Sequence, residues 1–363
     1  MFKAAKTVDF LILTYYTDDS KQRKRLSSLI RLYFPLYLSR RSVSFSALRT
    51  ERPINFLCRR RAAEWMIVME KFDSLIIGEV AQDTNVDFDG TVVQAVGGAV
   101  YYSGCAAANM GHKIAVLPKA DLSQLDVTAA FHEKAPSISV FPLNSPHSFV
   151  TKNVYHTADR ERRTSTVDSL IAPYTTDEVP VDQIDAAIWH LAGLAGGDIP
   201  NEMIPFAAKH AMVAIDVQTM LRWVENGGMV YHDWKEKKEL LPYIRFLKTD
   251  AAEAEILTGL TDRAEAAKVL YGWGAKEILI THNTEVLVYA GHEIYTCPIK
   301  ARNLSGRTGR GDTTFAGYIN ERLTKDIPTA LQTATALVSL KMETPGPFTG
   351  TRQDVEDYIK LMY

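Results

Sequence analysis

From residue 69 onward, short apolar runs alternate with stretches whose apolar residues recur at helical spacing. The runs at 74–77, 113–117, 139–141, 186–191, 212–215, 244–247 and 277–281 read as strands. Several are almost continuously apolar, as strands covered on both faces must be. Helix periods fall at 103–110, 202–210, 250–257 and 263–272. This alternation predicts an α/β fold, a doubly wound sheet flanked by helices, with ligands at the carboxyl ends of the strands. Two stretches break the rhythm, 83–97 and 148–170, which are polar and lack a helical period; they read as extra strands or loops beside the main sheet. The 285–297 stretch, with Ala290-Gly291 between two β-type runs, reads as a hairpin.

Composition divides the chain. The whole sequence has 363 residues and a formal net charge of −2, so nothing marks nucleic acid as a partner. Residues 1–68, however, hold 14 Lys and Arg against 5 acids. This basic extension reads as a start placed too early, as a transit segment, or as an arm for an acidic partner. The domain proper is expected over 69–363. No run of 18 apolar residues predicts a membrane span. Three scattered cysteines, Cys58, Cys105 and Cys297, form no disulfide framework and suggest a reducing, cytoplasmic setting.

The segment Thr308-Gly309-Arg310-Gly311-Asp312 carries the most chemical information. Phe315, Tyr318, Ile319 and Leu323 share one helical face after it, so a helix should begin near Asp312. Glycines entering a helix expose consecutive N–H groups, and the helix dipole behind them favours anionic oxygens. Asp312 reads either as a helix cap or as a general base that takes a proton from a hydroxyl. An adhesion-type Arg-Gly-Asp tripeptide does not suit such a chain. P-loop, dinucleotide-binding, zinc-protease and hydrolase motifs are all missing.

That segment resembles the T-G-x-G-D signature of the ribokinase-like, PfkB-type carbohydrate kinases. The glycine pair Gly97-Gly98 before Ser103, Ala106-Ala107-Ala108 and Gly111 is similar to the family's first signature. Asp250-Ala251-Ala252-Glu253 is similar to its N-x-x-E motif, and Asp83 stands where the family has a sugar-binding aspartate. The four occur in the family's order across about 70–363. The resemblance implies an ATP-dependent kinase in which Asp312 is the base. The amides of Gly309, Arg310 and Gly311 would form an anion hole, and Asp83, Gly97 and Gly98 would bind the substrate. Thr281 would line the nucleotide site. Glu253, through water, and Asp250 would hold Mg²⁺. The breaks at 83–97 and 148–170 would be the β lid, through which relatives often form a homodimer.

Departures from the pattern bear on donor, cation and substrate. Asp250 replaces an asparagine, and Arg310 stands where a small residue is usual. Gly306 stands where many relatives carry an aspartate associated with a monovalent cation, which leaves potassium dependence open. Asn283 and Val286 replace glycines near the nucleotide site. Tyr101 and Tyr102 argue against ribose as the acceptor. Lys119, Lys152 and the arginines at 160–163 could serve a second phosphate, but no motif places them. Asp216-Val217-Gln218 followed by Arg222 resembles the inositol-kinase-like branch, making a cyclic polyol a candidate beside a neutral sugar or a nucleoside. A catalytically silent sensor of the same fold is the reading from another class.

Overall fold

The computed structural model describes residues 70–157 and 163–363. The basic extension at 1–68, and its competing readings, lie outside the described residues. So do the arginines at 160 and 162, and the side chain of the one at 163.

The strands run in chain order: β1 (Glu70–Glu79), β2 (Ala81–Val86), β3 (Val92–Gly97), β4 (Ile114–Ala120), β5 (Ser139–Val140), β6 (Leu143–Asn144), β7 (Phe149–Tyr155), β8 (Arg163–Ser169), β9 (Ile184–Leu191), β10 (Met212–Asp216), β11 (Arg222–Glu225), β12 (Gly228–Tyr231), β13 (Ile244–Asp250), β14 (Glu277–Thr281), β15 (Glu285–Tyr289) and β16 (Ile294–Pro298). They form two sheets. The larger has the order β16-β15-β14-β13-β10-β9-β1-β4-β5, with β6 also paired to β4. Its centre is parallel, from β4 across to β14, and the β15–β16 hairpin closes one edge antiparallel. Every residue of β4 and β14 is buried, and their stretches 114–117 and 278–280 are continuously apolar.

Seven helices carry the packing that matters here: α1 (Ala99–Asn109), α2 (Val127–Lys134), α3 (Ala251–Thr258), α4 (Arg263–Gly272), α5 (Arg310–Glu321), α6 (Ile327–Lys341) and α7 (Arg352–Met362). Local chemistry sets their ends. Asp126, Asp262 and Asp326 each accept a hydrogen bond from the backbone N–H three residues on, at the starts of α2, α4 and α6. Small residues let α1 lie close to the sheet, and a Cβ on Gly104 would sit 3.0 Å from Val116 Cγ1. On α5, Phe315, Tyr318 and Ile319 enter a core with Ile188, Phe246 and Leu279. The helical face expected after Asp312 is therefore buried.

The smaller sheet has the order β11-β12-β8-β7-β2-β3 and contains the stretches expected as the lid. Both polar stretches expected beside the main sheet are in it. The β11–β12 hairpin was not expected, although Asn226-Gly227 between two short β-type runs is a strong two-residue turn signal. Both turn residues have positive φ, 52° and 77°, as that turn demands. The helix expected over 202–210 shrinks to Met203–Ala207 and gives way to a turn at 208–210. The helix expected from 103 starts earlier, at Ala99, directly after Gly98.

Candidate active site

A cleft of about 670 Å³ opens between the smaller sheet and the carboxyl ends of the parallel strands. Asp216, Lys248, Asp250 and Thr281 lie at those strand ends, where ligands of open α/β sheets bind. The structure gathers Asp83, Gly98, Asp250, Thr281, Gly309, Arg310, Gly311 and Asp312 around this one cleft. Gly97 stands directly behind Asp83.

The smaller sheet places polar side chains on the cleft. Strands β2 and β7 run parallel with Asp83 opposite Thr151 and Asn85 opposite Asn153. Side chains two apart share a face, so these four point the same way. Thr151 Oγ1 donates to Asp83 Oδ1 at 2.5 Å, and Asn153 Nδ2 donates to Asn85 Oδ1 at 3.2 Å. Ser165 Oγ then donates to Asn153 Oδ1 at 2.6 Å. Sequence reasoning found Asp83 alone. No alternation marks the others, since Gln82, Thr84 and Lys152 between them are polar too.

The opposite wall is cationic and acidic at once. Lys248 Nζ donates to Asp216 Oδ2 at 2.7 Å, and both side chains are buried. Asp216 Oδ1 accepts from the Gln218 N–H, and Arg222 Nη2 donates to Gln218 Oε1 at 2.9 Å. The loose Asp216…Arg222 motif is thus a connected row along the cleft. Lys248 was missed, since nothing in its apolar strand context marks it. Lys119 is spent elsewhere: it is buried, ion-paired to Glu178 at 2.8 Å, and hydrogen-bonded to the Pro173 carbonyl.

Helix α5 begins at Arg310, two residues before the position expected, and Gly309 is its cap in the left-handed region at φ 75°. A Cβ there would fall 2.1 Å from the Tyr102 ring, so only glycine fits. The first N–H groups of a helix lack intrahelical partners, which leaves those of Gly311 and Asp312 for a ligand. The Arg310 N–H instead donates to the Arg307 carbonyl at 3.3 Å, so it is the least available of the three expected donors. Asp312 stands in the first turn, and burial pushes its carboxyl up to about 6. The negative charge of Asp216 adds to that rise, while Lys248, Arg222 and Lys341 oppose it.

Asp250 and Glu253 make a reciprocal capping box at the start of α3. The Glu253 N–H donates to Asp250 Oδ1 at 2.8 Å, and the Asp250 N–H donates to Glu253 Oε2 at 2.9 Å. Glu253 is 2% exposed, and burial first, then Asp216 and Asp250, raise its carboxyl to about 7. One oxygen of each residue is therefore committed to the helix end. Among the described residues, no group of three or more His, Cys, Asp or Glu is arranged to hold a metal.

The profile described as the pfkB family of carbohydrate kinases matches residues 148–353, more than half of the chain. The chain belongs to this family. As a pfkB-family kinase it is a phosphotransferase with a hydroxyl acceptor. It is similar, at 32% identity and a TM-score of 0.71, to a pyrophosphate-dependent kinase of the ribokinase family solved with sulfate; the match covers 78% of this chain and 99% of that one. It is also similar to a pyrophosphate-dependent myo-inositol-1 kinase carrying a double substitution that converts it into a myo-inositol-3 kinase, at 30% identity and a TM-score of 0.70, covering 80% and 99% of the two chains. The cytidine kinase of Thermococcus kodakarensis is 24% identical over 266 residues, 68% of this chain and 87% of that protein. An Arabidopsis thaliana ribokinase bound to ribose and ATP shares the fold at 16% identity and a TM-score of 0.64, covering 80% and 99%. No helix among the described residues of this pfkB-family kinase is long and apolar enough to cross a membrane.

Proposed function

We propose that this kinase phosphorylates a hydroxyl of a small neutral polyol of the inositol class, with Asp312 as general base. The observation that carries the reading is the half-buried Asp312 carboxyl, raised to about 6, at the mouth of the α5 N-terminus and within the same cleft as the lid's polar face. A base of that pKa is largely ionised at neutral pH yet still accepts a proton, and such a base contributes roughly 10²–10⁴-fold. The acceptor hydroxyls would meet Asp83, Asn85 and Asn153 on the lid. Closure of the lid would exclude water from the transfer.

For the donor, we favour pyrophosphate. Structures 30–32% identical to this chain come from pyrophosphate-dependent kinases. The cleft also carries Arg222, Lys248, Arg307 and Arg310 in its lining, a cationic wall suited to a compact anion. MgATP, which the sequence resemblance implies, is the second donor, with Thr281 beside its base or sugar. The amides of Gly309 and Gly311 would receive the transferring phosphoryl group, with that of Arg310 in a lesser part.

Mg²⁺ fits the acids present, since it binds through one or two carboxylates together with phosphate oxygens. Asp250, and Glu253 through water, would hold it. When bound, it neutralises charge on the phosphates. The homodimer implied by the resemblance would cover the lid residues Phe88, Val92 and Val93, which are 53–60% exposed.

The test is a purified-enzyme assay with pyrophosphate or ATP as donor and myo-inositol, ribose or cytidine as acceptor. Inositol-dependent phosphate release from pyrophosphate is the expected result. Donor consumption that no acceptor stimulates would return the protein to the silent-sensor reading. A cytidine-dependent reaction would make it a nucleoside kinase.

A further inference from the structure

One buried ammonium near the cleft takes no part in the chemistry proposed above. Lys341 is the last residue of α6 and is 1% exposed. Its Nζ donates to the carbonyl oxygen of Gly306 at 2.6 Å and to that of Thr308. It also lies 5.1 Å from the centroid of the Tyr102 ring, the same ring that abuts Gly309. Every one of these partners belongs to the loop that presents Gly309 and Gly311, or touches it.

The surroundings call for a cation. The carboxyl end of α6 carries partial negative charge on its carbonyls, and the loop is sewn onto that end. The Gly306 N–H donates to the Met342 carbonyl at 2.7 Å, and Ser305 Oγ donates to the Glu343 carbonyl at 2.7 Å. A Cβ on Gly306 would fall 1.8 Å from the Thr344 carbonyl oxygen and 3.0 Å from that of Lys341. No carboxylate side chain can therefore stand at 306 to attract a free ion. Carbonyl oxygens can replace the hydration shell of a monovalent cation, an aromatic face adds attraction, and a buried charge is tolerable only when so paired.

We infer that the Lys341 ammonium is a tethered monovalent cation: by gathering the Gly306 and Thr308 carbonyls it fixes the anion-binding loop and frees turnover from dissolved potassium. Lys341 is thus a positioning residue, acting through the Gly309 and Gly311 amides on the transferring group. The inference rests on the kinase reading of the same site. Burial lowers the ammonium to about 8 while Asp312 holds it up, so it stays charged at neutral pH.

The test compares the full-length kinase in potassium, sodium and choline buffers of equal ionic strength. Wild type should turn over equally in all three. Lys341→Ala in choline should lose about 10²-fold in kcat, the effect of displacing a reacting geometry by about 1 Å, and ammonium, potassium or ethylammonium should restore it. Lys341→Met, whose side chain fills the space, should lose activity without rescue. A wild-type requirement for potassium would overturn the inference. So would an active Lys341→Ala in choline, or a Lys341→Ala that melts as the wild type does yet answers to no cation. Tryptic cleavage after Arg307 and Arg310 reads the loop without turnover. It should be faster in Lys341→Ala in choline and slow again with ammonium; unchanged cleavage sinks the clamp. If no acceptor is ever phosphorylated, the kinase reading fails, and this proteolysis still decides the role of Lys341 on the loop.

Discussion

A Cβ placed on Gly97 would lie 2.4 Å from Oδ2 of Asp83. The glycine of β3 thus makes room for the carboxylate of the strand beside it. Gly97→Ala should push the Asp83 side chain out of its hydrogen bond with Thr151, without moving backbone. The expected outcome is a rise of about tenfold or more in the acceptor KM, on the scale of one lost charge-assisted hydrogen bond, with donor affinity and melting temperature little changed. Steady-state kinetics against acceptor and donor separately check it.

Asp312→Asn should lower kcat by roughly 10²–10⁴-fold, the usual contribution of a general base, while donor binding measured by calorimetry persists. Wild-type kcat should carry an acid limb. The carboxyl is raised to about 6 by burial and by Asp216, against Lys248, Arg222 and Lys341. The base is needed ionised, so activity should fall as pH drops through about 6. A flat profile from pH 5 to 8 would remove Asp312 from the role.

Lys248 and Asp216 form a buried pair at 2.7 Å. Lys248→Met leaves the Asp216 carboxylate buried without its partner, which costs about 3–5 kcal/mol. Pairing that change with Asp216→Asn should recover most of the stability, because the orphaned charge is gone. It should not recover activity, since the cation facing Gly311 is still missing. Denaturant melts and kcat/KM of the single and double variants separate the two effects. Activity restored together with stability would make the pair purely architectural.

Asp250→Asn puts the family's usual residue at the start of α3. Asparagine caps helices about as well as aspartate, so stability should change by only a few tenths of a kcal/mol. Removing one negative charge should raise the Mg²⁺ concentration needed for half-maximal turnover. A magnesium titration of the two proteins decides this, and identical curves would take Asp250 out of the metal's surroundings.

The pattern predicts the strand at 277–281 at its observed bounds and most other main-sheet strands to within a few residues, because burial on both faces leaves an apolar run at their centres. Gly309 at the entry to α5 is equally legible, because a tight turn into a helix needs a glycine. The β11–β12 hairpin went unread because its strands are four residues each and half-exposed, leaving only Asn226-Gly227 as a signal. Glu253 was read toward the metal, yet one of its oxygens caps α3, a role that only the three-residue spacing from Asp250 announced.

By itself, then, the sequence determined the layered α/β plan and the segment bearing Asp312, since periodicity and turn chemistry act between near neighbours in the chain. Tertiary structure decided what those segments face. Asp83 meets Thr151 through strand register, Lys248 meets Asp216 from a neighbouring strand, and Lys341 reaches the loop 33 residues before it. A buried charge is chosen by the partner folding brings to it, and that partner leaves no mark in the local pattern.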